Sequence, residues 1–306
     1  MEPRGRGRSY PPGVGSGSGS GSGSKEKKNS RAGDSDCDCG GSGMGMEKLI
    51  VGDGFDICPP KKPGSVVLKP PLLVKNREMR RSSKEGRSAI PIRAGMVLLK
   101  GYLGLSDQEK IVERCRELGV GEGGFYQPGY GEETKMHLKM MCLGKNWDPL
   151  SSQYGDQRPF DGAKPPEIPP EFLDHVRNAL RDANALISDN PLPSISPDIC
   201  IVNFYSQSGR LGLHQDKDES QDSLRRALPV VSFSIGDSAD FLYADHRDLD
   251  KADKLQLHSG DVLIFGGPSR HLFHAVSSIH PNTAPTLLLH HTNLRPGRLN
   301  LTFRQY

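Results

Sequence analysis

No apolar run in this sequence approaches the roughly 20 residues that a membrane-spanning helix needs, so no membrane partner is expected. Arg4, Arg6 and Arg8 stand near the N-terminus without an apolar segment behind them, which argues against a secretory signal. Organelle targeting stays open, although Glu2 and the Gly/Ser run oppose an amphipathic transit peptide. Cysteine is sparse: Cys37, Cys39, Cys58, Cys115, Cys142 and Cys200 form no C-x-x-C pair. Cys37-Asp38-Cys39 is too short and isolated for a structural zinc site. Cys115 falls on an apolar helix face and Cys200 in an apolar strand, so both are expected as reduced core residues in a reducing compartment. Apolar residues make up only 34% of the chain, so a sizeable part is expected to lie outside any core.

What is present is unevenly spread. Residues 1–45 are of low complexity: Arg4-Gly5-Arg6-Gly7-Arg8 is an Arg-Gly stretch, and residues 15–24 alternate Gly and Ser, a composition that behaves as flexible coil. Arg-Gly stretches can bind nucleic acids through phosphates and guanidinium stacking. Residues 46–90 are rich in Pro, Lys and Arg with short apolar patches such as Val66-Val67-Leu68, and read as linker or partly ordered chain. Residues 1–90 hold 17 Lys and Arg against 10 Asp and Glu, a net of +7, and residues 91–306 hold 23 against 27, a net of −4. A basic arm on a near-neutral body suits an anionic partner held loosely, and equally suits a tail kept soluble by its charge. The expected organisation is a disordered tail and linker over 1–90 and one folded domain over 91–306.

Order is expected to begin near Ile90. Residues 96–99 form an apolar run fit for a strand, and Ser106-Asp107-Gln108-Glu109 has the form of a capping box. Behind it Ile111, Val112, Cys115 and Leu118 share a helix face that Gly119 ends. A second helix follows Pro169-Pro170, with Phe172, Val176, Leu180 and Ile187 on one side. After Pro197 come short strand-like runs at 199–205, 230–235, 261–265, 286–291 and 299–304, separated by turn residues. This texture predicts a mainly β fold with flanking helices, a barrel or a double-sheet jelly roll.

Two patterns carry chemistry. His214-Gln215-Asp216 places an imidazole and a carboxylate two residues apart, on one side of a strand. With His274 about sixty residues on, two His and one carboxylate match the donor set of non-haem Fe(II) oxygenases, which leaves positions open for a co-substrate and O₂. H-x-D is a common motif, and a surface His paired with an acid is the alternative. In residues 298–304 the strand carries Arg298, Asn300, Thr302 and Arg304 alternating with Leu299, Leu301 and Phe303. If the polar face points inward, two buried guanidiniums require anions, and a dicarboxylate suits two forks. If this is an edge strand, that face is simply solvated. Asn203 and Tyr205 stand two apart in the same way, an amide and a phenol each able to bond a carboxylate oxygen.

Taken in order, Asn203-x-Tyr205, Leu213-His214-Gln215-Asp216-Lys217-Asp218-Glu219, Ser259-Gly260-Asp261-Val262 with Gly266-Gly267, His274, and Arg298-x-Asn300-Leu301-Thr302-Phe303-Arg304 resemble the AlkB family of Fe(II)/2-oxoglutarate-dependent dioxygenases, in its bacterial and AlkB-homolog-1 form. The resemblance spans about residues 95–306. It implies a double-stranded β-helix with an N-terminal nucleotide-recognition lid. It implies Fe(II) on His214, Asp216 and His274, and 2-oxoglutarate held by Asn203, Tyr205, Arg298, Asn300 and Arg304, with Arg304 toward the carboxylate beside the keto group. It implies substrate contacts from Trp147, the sole Trp, from Tyr154, from Asp218 and from Arg247, although Asp248 occupies the aligned site of that last residue. The implied activity is oxidative demethylation of N-methylated bases in DNA or RNA, in repair or regulation, with release of formaldehyde, succinate and CO₂. The base would be single-stranded or flipped. A monomer in the nucleus or cytoplasm fits this reading. The competing expectations are a hydroxylase of protein or small molecules on the same scaffold, and a binding module without activity.

Overall fold

The computed structural model describes residues 54–60, 88–129, 134–187 and 191–306, with 72, 73 and 76. The Arg-Gly and Gly/Ser stretches, Cys37 and Cys39 lie outside the described residues. Thirteen strands, numbered in chain order, are described. Seven form one antiparallel sheet in the order β1 (Ser88–Arg93), β2 (Met96–Lys100), β11 (Val262–Phe265), β8 (Val230–Gly236), β13 (Arg298–Arg304), β6 (Ile199–Tyr205) and β3 (Lys139–Gly144). Four form a second: β10 (Asp253–Leu257), β9 (Ser238–Ala244), β12 (Phe273–His280) and β7 (Leu211–His214). A hairpin of β4 (Asn146–Asp148) and β5 (Gln153–Gly155) completes the set. The two sheets make the expected double-stranded β-helix.

Strand parity sorts the core. In the large sheet Val97, Leu99, Met141, Leu143, Cys200, Val202, Phe204, Val231, Phe233, Ile235, Val262, Ile264, Leu299, Leu301 and Phe303 join one buried cluster. That cluster includes Ile111, Val112 and Cys115 of helix α1 (Leu105–Gly119) and Phe172, Val176 and Leu180 of α2 (Pro170–Asn184). The alternate residues face the small sheet: Ile199, Ile201 and Tyr205 meet Ala239, Val276 and Ile279, and Met96, Leu98 and Leu263 meet Phe241 and Leu257. Every large-sheet strand in the middle is therefore apolar on both faces, except where the inward face turns polar at the site.

Several expectations are corrected. Residues 286–291 are not a strand but part of helix α3 (Thr286–Thr292), which follows Pro285 and stops at Asn293 in the left-handed region (φ 56°). A short apolar run suits a strand and a buried helix equally, and the Pro and Asn at its ends decide. The capping box does not form: α1 begins at Leu105 behind Gly104, no side chain caps it, and Glu109 Oε1 lies 2.6 Å from His291 Nδ1 instead. Gly119 does end α1, but its role is steric, since a Cβ there would meet the Phe125 ring at 2.4 Å.

The tail boundary also moves. Ile57 and Cys58, expected in the linker, are buried in the main core. Asp56 pairs with Arg116 at 2.9 Å and its carbonyl accepts from Arg295 Nε at 2.6 Å. The Ile57 carbonyl accepts from the Arg295 amide at 2.8 Å, and Pro59 accepts from Asn293 Nδ2. Phe55 packs on Phe125 and Phe204. Ile57→Ala should therefore lower stability by about 2–5 kcal/mol, measured by denaturant unfolding; a loss under about 1 kcal/mol, the range of ordinary surface changes, would place this segment outside the fold.

Candidate metal and keto-acid site

His214 and His274 are cross-strand partners on β7 and β12. Their rings lie 4.3 Å apart between centroids, and Phe241 stacks on His274 at 5.6 Å. Each ring sets its Nδ1 against a backbone carbonyl, Gly212 at 2.8 Å and Leu272 at 3.3 Å. A carbonyl can only accept, so Nδ1 carries the proton and Nε2 is left as the lone-pair donor. Both Nε2 atoms face the Asp216 carboxylate, at 3.8 and 3.7 Å, and the three donor atoms lie within 4.8 Å of one another. Asp216 is not on the strand, as the i, i+2 argument expected; β7 stops at His214 and Asp216 sits in the following loop. Burial, reinforced by His214, pushes His274 down to about 4, which keeps it neutral at pH 7. Burial opposes ionisation of Asp216, but Arg304, His274 and His214 outweigh it and hold the carboxyl well below the usual range. Two imidazoles, each with Nδ1 on a backbone carbonyl, and one carboxylate form a donor set that suits a divalent ion.

The keto-acid residues converge by register. Arg298 lies opposite Tyr205, and Asn300 opposite Asn203. They line one small cavity with His214, Asp216, Ser232, His274, Thr302 and Arg304. β13 is a central strand, so the edge-strand alternative fails: Arg298 is 1% exposed. Its Nη2 donates to Ser234 Oγ at 2.9 Å, while Nε and Nη1 have no hydrogen-bond partner. Asn203 Oδ1, Asp216 Oδ2 and Arg304 Nε are likewise buried and unbonded. Burial lowers Arg298 to about 10, which leaves it charged at pH 7. A buried cation beside unbonded polar atoms and a metal-ligand triad fits a dicarboxylate that also reaches a metal. Asn300 lines the cavity, but its Nδ2 is used by Ser232 Oγ and the Phe233 carbonyl, both at 2.8 Å, so it braces the wall as well as facing the site.

Residues 95–304 match the 2OG-Fe(II) oxygenase superfamily. An AlkB homolog from Caulobacter vibrioides, described as an alpha-ketoglutarate-dependent dioxygenase, is 34% identical over 69% of this chain and 87% of its own length. The chain belongs to the AlkB family. An Arabidopsis thaliana AlkB relative named DNA N(6)-methyladenine demethylase ALKBH1C is 61% identical over 82% of this chain. The chain spans about half the length of that relative, 56%. The solved structure of OsALKBH1 superposes with a TM-score of 0.69 at 58% identity, covering 72% of this chain and all of that one. Fe(II) and 2-oxoglutarate are the cofactors of this family, and the donors above fit both.

Beside the AlkB triad opens a larger cleft of about 780 Å³, lined by Trp147, Asp218 and Arg247 together with His214 and Asp216. Trp147 and Tyr154 are cross-strand partners in the β4–β5 hairpin, which explains their spacing of seven. Trp147 Nε1 donates to Asp218 Oδ2 at 2.9 Å. Tyr154 does not line the cleft; its hydroxyl accepts from Arg304 Nη1 at 2.6 Å. Asp248, at the aligned site, caps its own turn by accepting from the Asp250 amide, and Arg247 is the residue that lines the cleft. Sequence reading missed Ser232, Ser234, Glu219 and Arg270, whose partners lie far away in the chain. It also missed the exposed Lys135, Arg210 and Lys217 on the cleft wall, because the net −4 of residues 91–306 conceals a local positive rim.

Arg298→Leu tests the keto-acid end. Loss of charge-assisted contacts should weaken 2-oxoglutarate binding by about 1.5–3 kcal/mol, or about 10- to 150-fold, by calorimetry under anaerobic Mn(II). The ligand-free domain should lose no stability, since the variant removes a buried charge with two unbonded nitrogens. Unchanged affinity would assign the cavity to another ligand.

Proposed function

We propose that the chain is an Fe(II)- and 2-oxoglutarate-dependent demethylase of N-methylated bases in DNA or RNA, releasing formaldehyde, succinate and CO₂. His214, Asp216 and His274 would hold the iron. Arg298, Tyr205 and Asn300 would take the distal carboxylate of 2-oxoglutarate, Arg304 the carboxylate beside the keto group, and Asn203 would contact the same molecule from the cavity wall. The oxidant of the methyl carbon is O₂: iron, when bound, would activate it, and 2-oxoglutarate would supply two of the four electrons that O₂ accepts as it is oxidised to succinate and CO₂, the methyl group supplying the other two.

The observation that carries this reading is the cleft. It joins an aromatic plane, Trp147, and a carboxylate, Asp218, to the edge of the metal triad. An indole offers a stacking surface to any base. A carboxylate accepts from an exocyclic amine, which N1-methyladenine, N3-methylcytosine and N6-methyladenine all carry. Lys135, Arg210, Lys217 and Arg247 on the wall suit the phosphates on either side of that base. A pocket beside the metal admits a base only when it is single-stranded or flipped. Tyr154 acts through Arg304 rather than on the base. The name of the Arabidopsis relative favours N6-methyladenine in DNA as the first substrate to try. A monomer in the nucleus or cytoplasm goes with this reading, the net +7 of residues 1–90 suiting nucleic acid.

Two experiments test it. Incubation with a panel of methylated DNA and RNA oligonucleotides, followed by nucleoside mass spectrometry, should show loss of a methylated base with matching formaldehyde and succinate. Succinate formation driven only by peptides or small molecules would assign the scaffold to a different substrate class. Trp147→Ala should weaken oligonucleotide binding by about 1–3 kcal/mol while 2-oxoglutarate affinity holds. Joint loss of both with a large fall in melting temperature would make Trp147 a core residue.

A further inference from the structure

The loop that carries Asp216 has no ladder to hold it. His214 and His274 are fixed by pairing between strands, whereas residues 215–219 adopt neither helix nor strand. The loop is fastened instead to the turn that precedes β12. Arg270 Nη1 donates to the Asp216 carbonyl at 2.5 Å, and Gln215 Nε2 donates to the His271 carbonyl at 2.6 Å. Arg270 Nη2 lies 2.9 Å from Glu219 Oε2, and both side chains are buried, 2% and 0% exposed. Glu219 Oε1 lies 3.4 Å from Arg304 Nη1, and Arg304 Nη2 lies 3.1 Å from Asp216 Oδ1. The charges run Arg270, Glu219, Arg304, Asp216, and the first returns to the backbone of the last.

A buried ion pair contributes little to stability over an apolar pair of the same volume. What this one does contribute is geometry. Neither Arg270 nor Glu219 lines the keto-acid cavity or the substrate cleft. We propose that Arg270, with Glu219 as its counter-ion, is a positioning residue. It sets the Asp216 carboxylate against the two imidazoles, and through Glu219 it sets the angle at which Arg304 meets the co-substrate. This rests on the reading of His214, Asp216 and His274 as the metal ligands.

The test compares Arg270→Gln, Arg270→Lys, the paired Glu219→Leu/Arg270→Met and Asp216→Ala in the full chain. For each, melting temperature, Mn(II) affinity by electron paramagnetic resonance and 2-oxoglutarate affinity with Mn(II) are measured. Arg270→Gln should weaken Mn(II) by about 10- to 100-fold and 2-oxoglutarate with it, and Arg270→Lys should recover part of the loss. The paired variant leaves no unpaired charge, so it should restore the melting temperature but not Mn(II) affinity. Recovery of both by the paired variant, or wild-type Mn(II) affinity in Arg270→Gln, overturns the proposal. If Arg270→Gln does not fold, the paired variant alone decides. Asp216→Ala separates the two levels: if it keeps Mn(II) affinity, the metal-site reading fails; if only it loses affinity, positioning alone fails.

Discussion

Arg298 brings a positive charge between the two sheets, where among the described residues the Ser234 hydroxyl is its one hydrogen-bond partner and the Tyr205 ring lies 5.6 Å from its guanidinium. Burying a guanidinium without an anion is costly, and the backbone gives it no way out. β13 alternates and its other face lies under the helices, so turning Arg298 away from the cavity would press it into that core and turn Leu299, Leu301 and Phe303 out of it at the same time. The same strand therefore builds the hydrophobic core with its odd residues and the site with its even ones. β6 repeats the division, with Cys200, Val202 and Phe204 in the core and Asn203 and Tyr205 in the cavity. A site built this way is as rigid as the fold, because any slip of one disrupts the other.

The two sheets contribute different chemistry. The large sheet supplies the polar groups suited to a dicarboxylate, and the edge of the small sheet supplies two imidazoles. Arg304 joins them: it leaves β13 and reaches Asp216, Glu219 and the Tyr154 hydroxyl. Despite burial, those groups raise its pKa above the ordinary arginine value, so its charge is fixed. Tyr154 ties it to the hairpin that carries Trp147. One guanidinium thus touches the strand that carries Arg298 and Asn300, the His214–Asp216–His274 cluster and the hairpin that carries Trp147.

Much of this was legible in the sequence, for identifiable reasons. β6 and β8 stand out as largely apolar runs, and β13 as a strict alternation of polar and apolar residues. The polar residues on their inward faces, Asn203 on β6, Ser232 and Ser234 on β8 and Arg298, Asn300, Thr302 and Arg304 on β13, mark the site. The small sheet was harder to see. β10 reads Asp-Lys-Leu-Gln-Leu and β7 Leu-Gly-Leu-His, too short and mixed in burial to show a period. Residues 286–291 were ambiguous in kind, and their caps settle them as helix. Phe55-Asp56-Ile57-Cys58 carries no periodicity at all; its partners Arg116 and Arg295 lie 60 and 239 residues away. Arg270 was invisible for the same reason, since a buried arginine is recognised only by the carboxylate that meets it.

One cavity would bind a dicarboxylate by a guanidinium at one end and a metal at the other. Comparing 2-oxoglutarate with glutarate, which lacks the keto oxygen, tests this most directly. Affinities of both are measured by calorimetry, without metal and with anaerobic Mn(II). Without metal the two should bind alike and weakly, through Arg298. With Mn(II), 2-oxoglutarate should tighten and glutarate should not, because only the keto acid can chelate the ion. Equal affinities with Mn(II), or 2-oxoglutarate binding indifferent to the metal, would contradict the account.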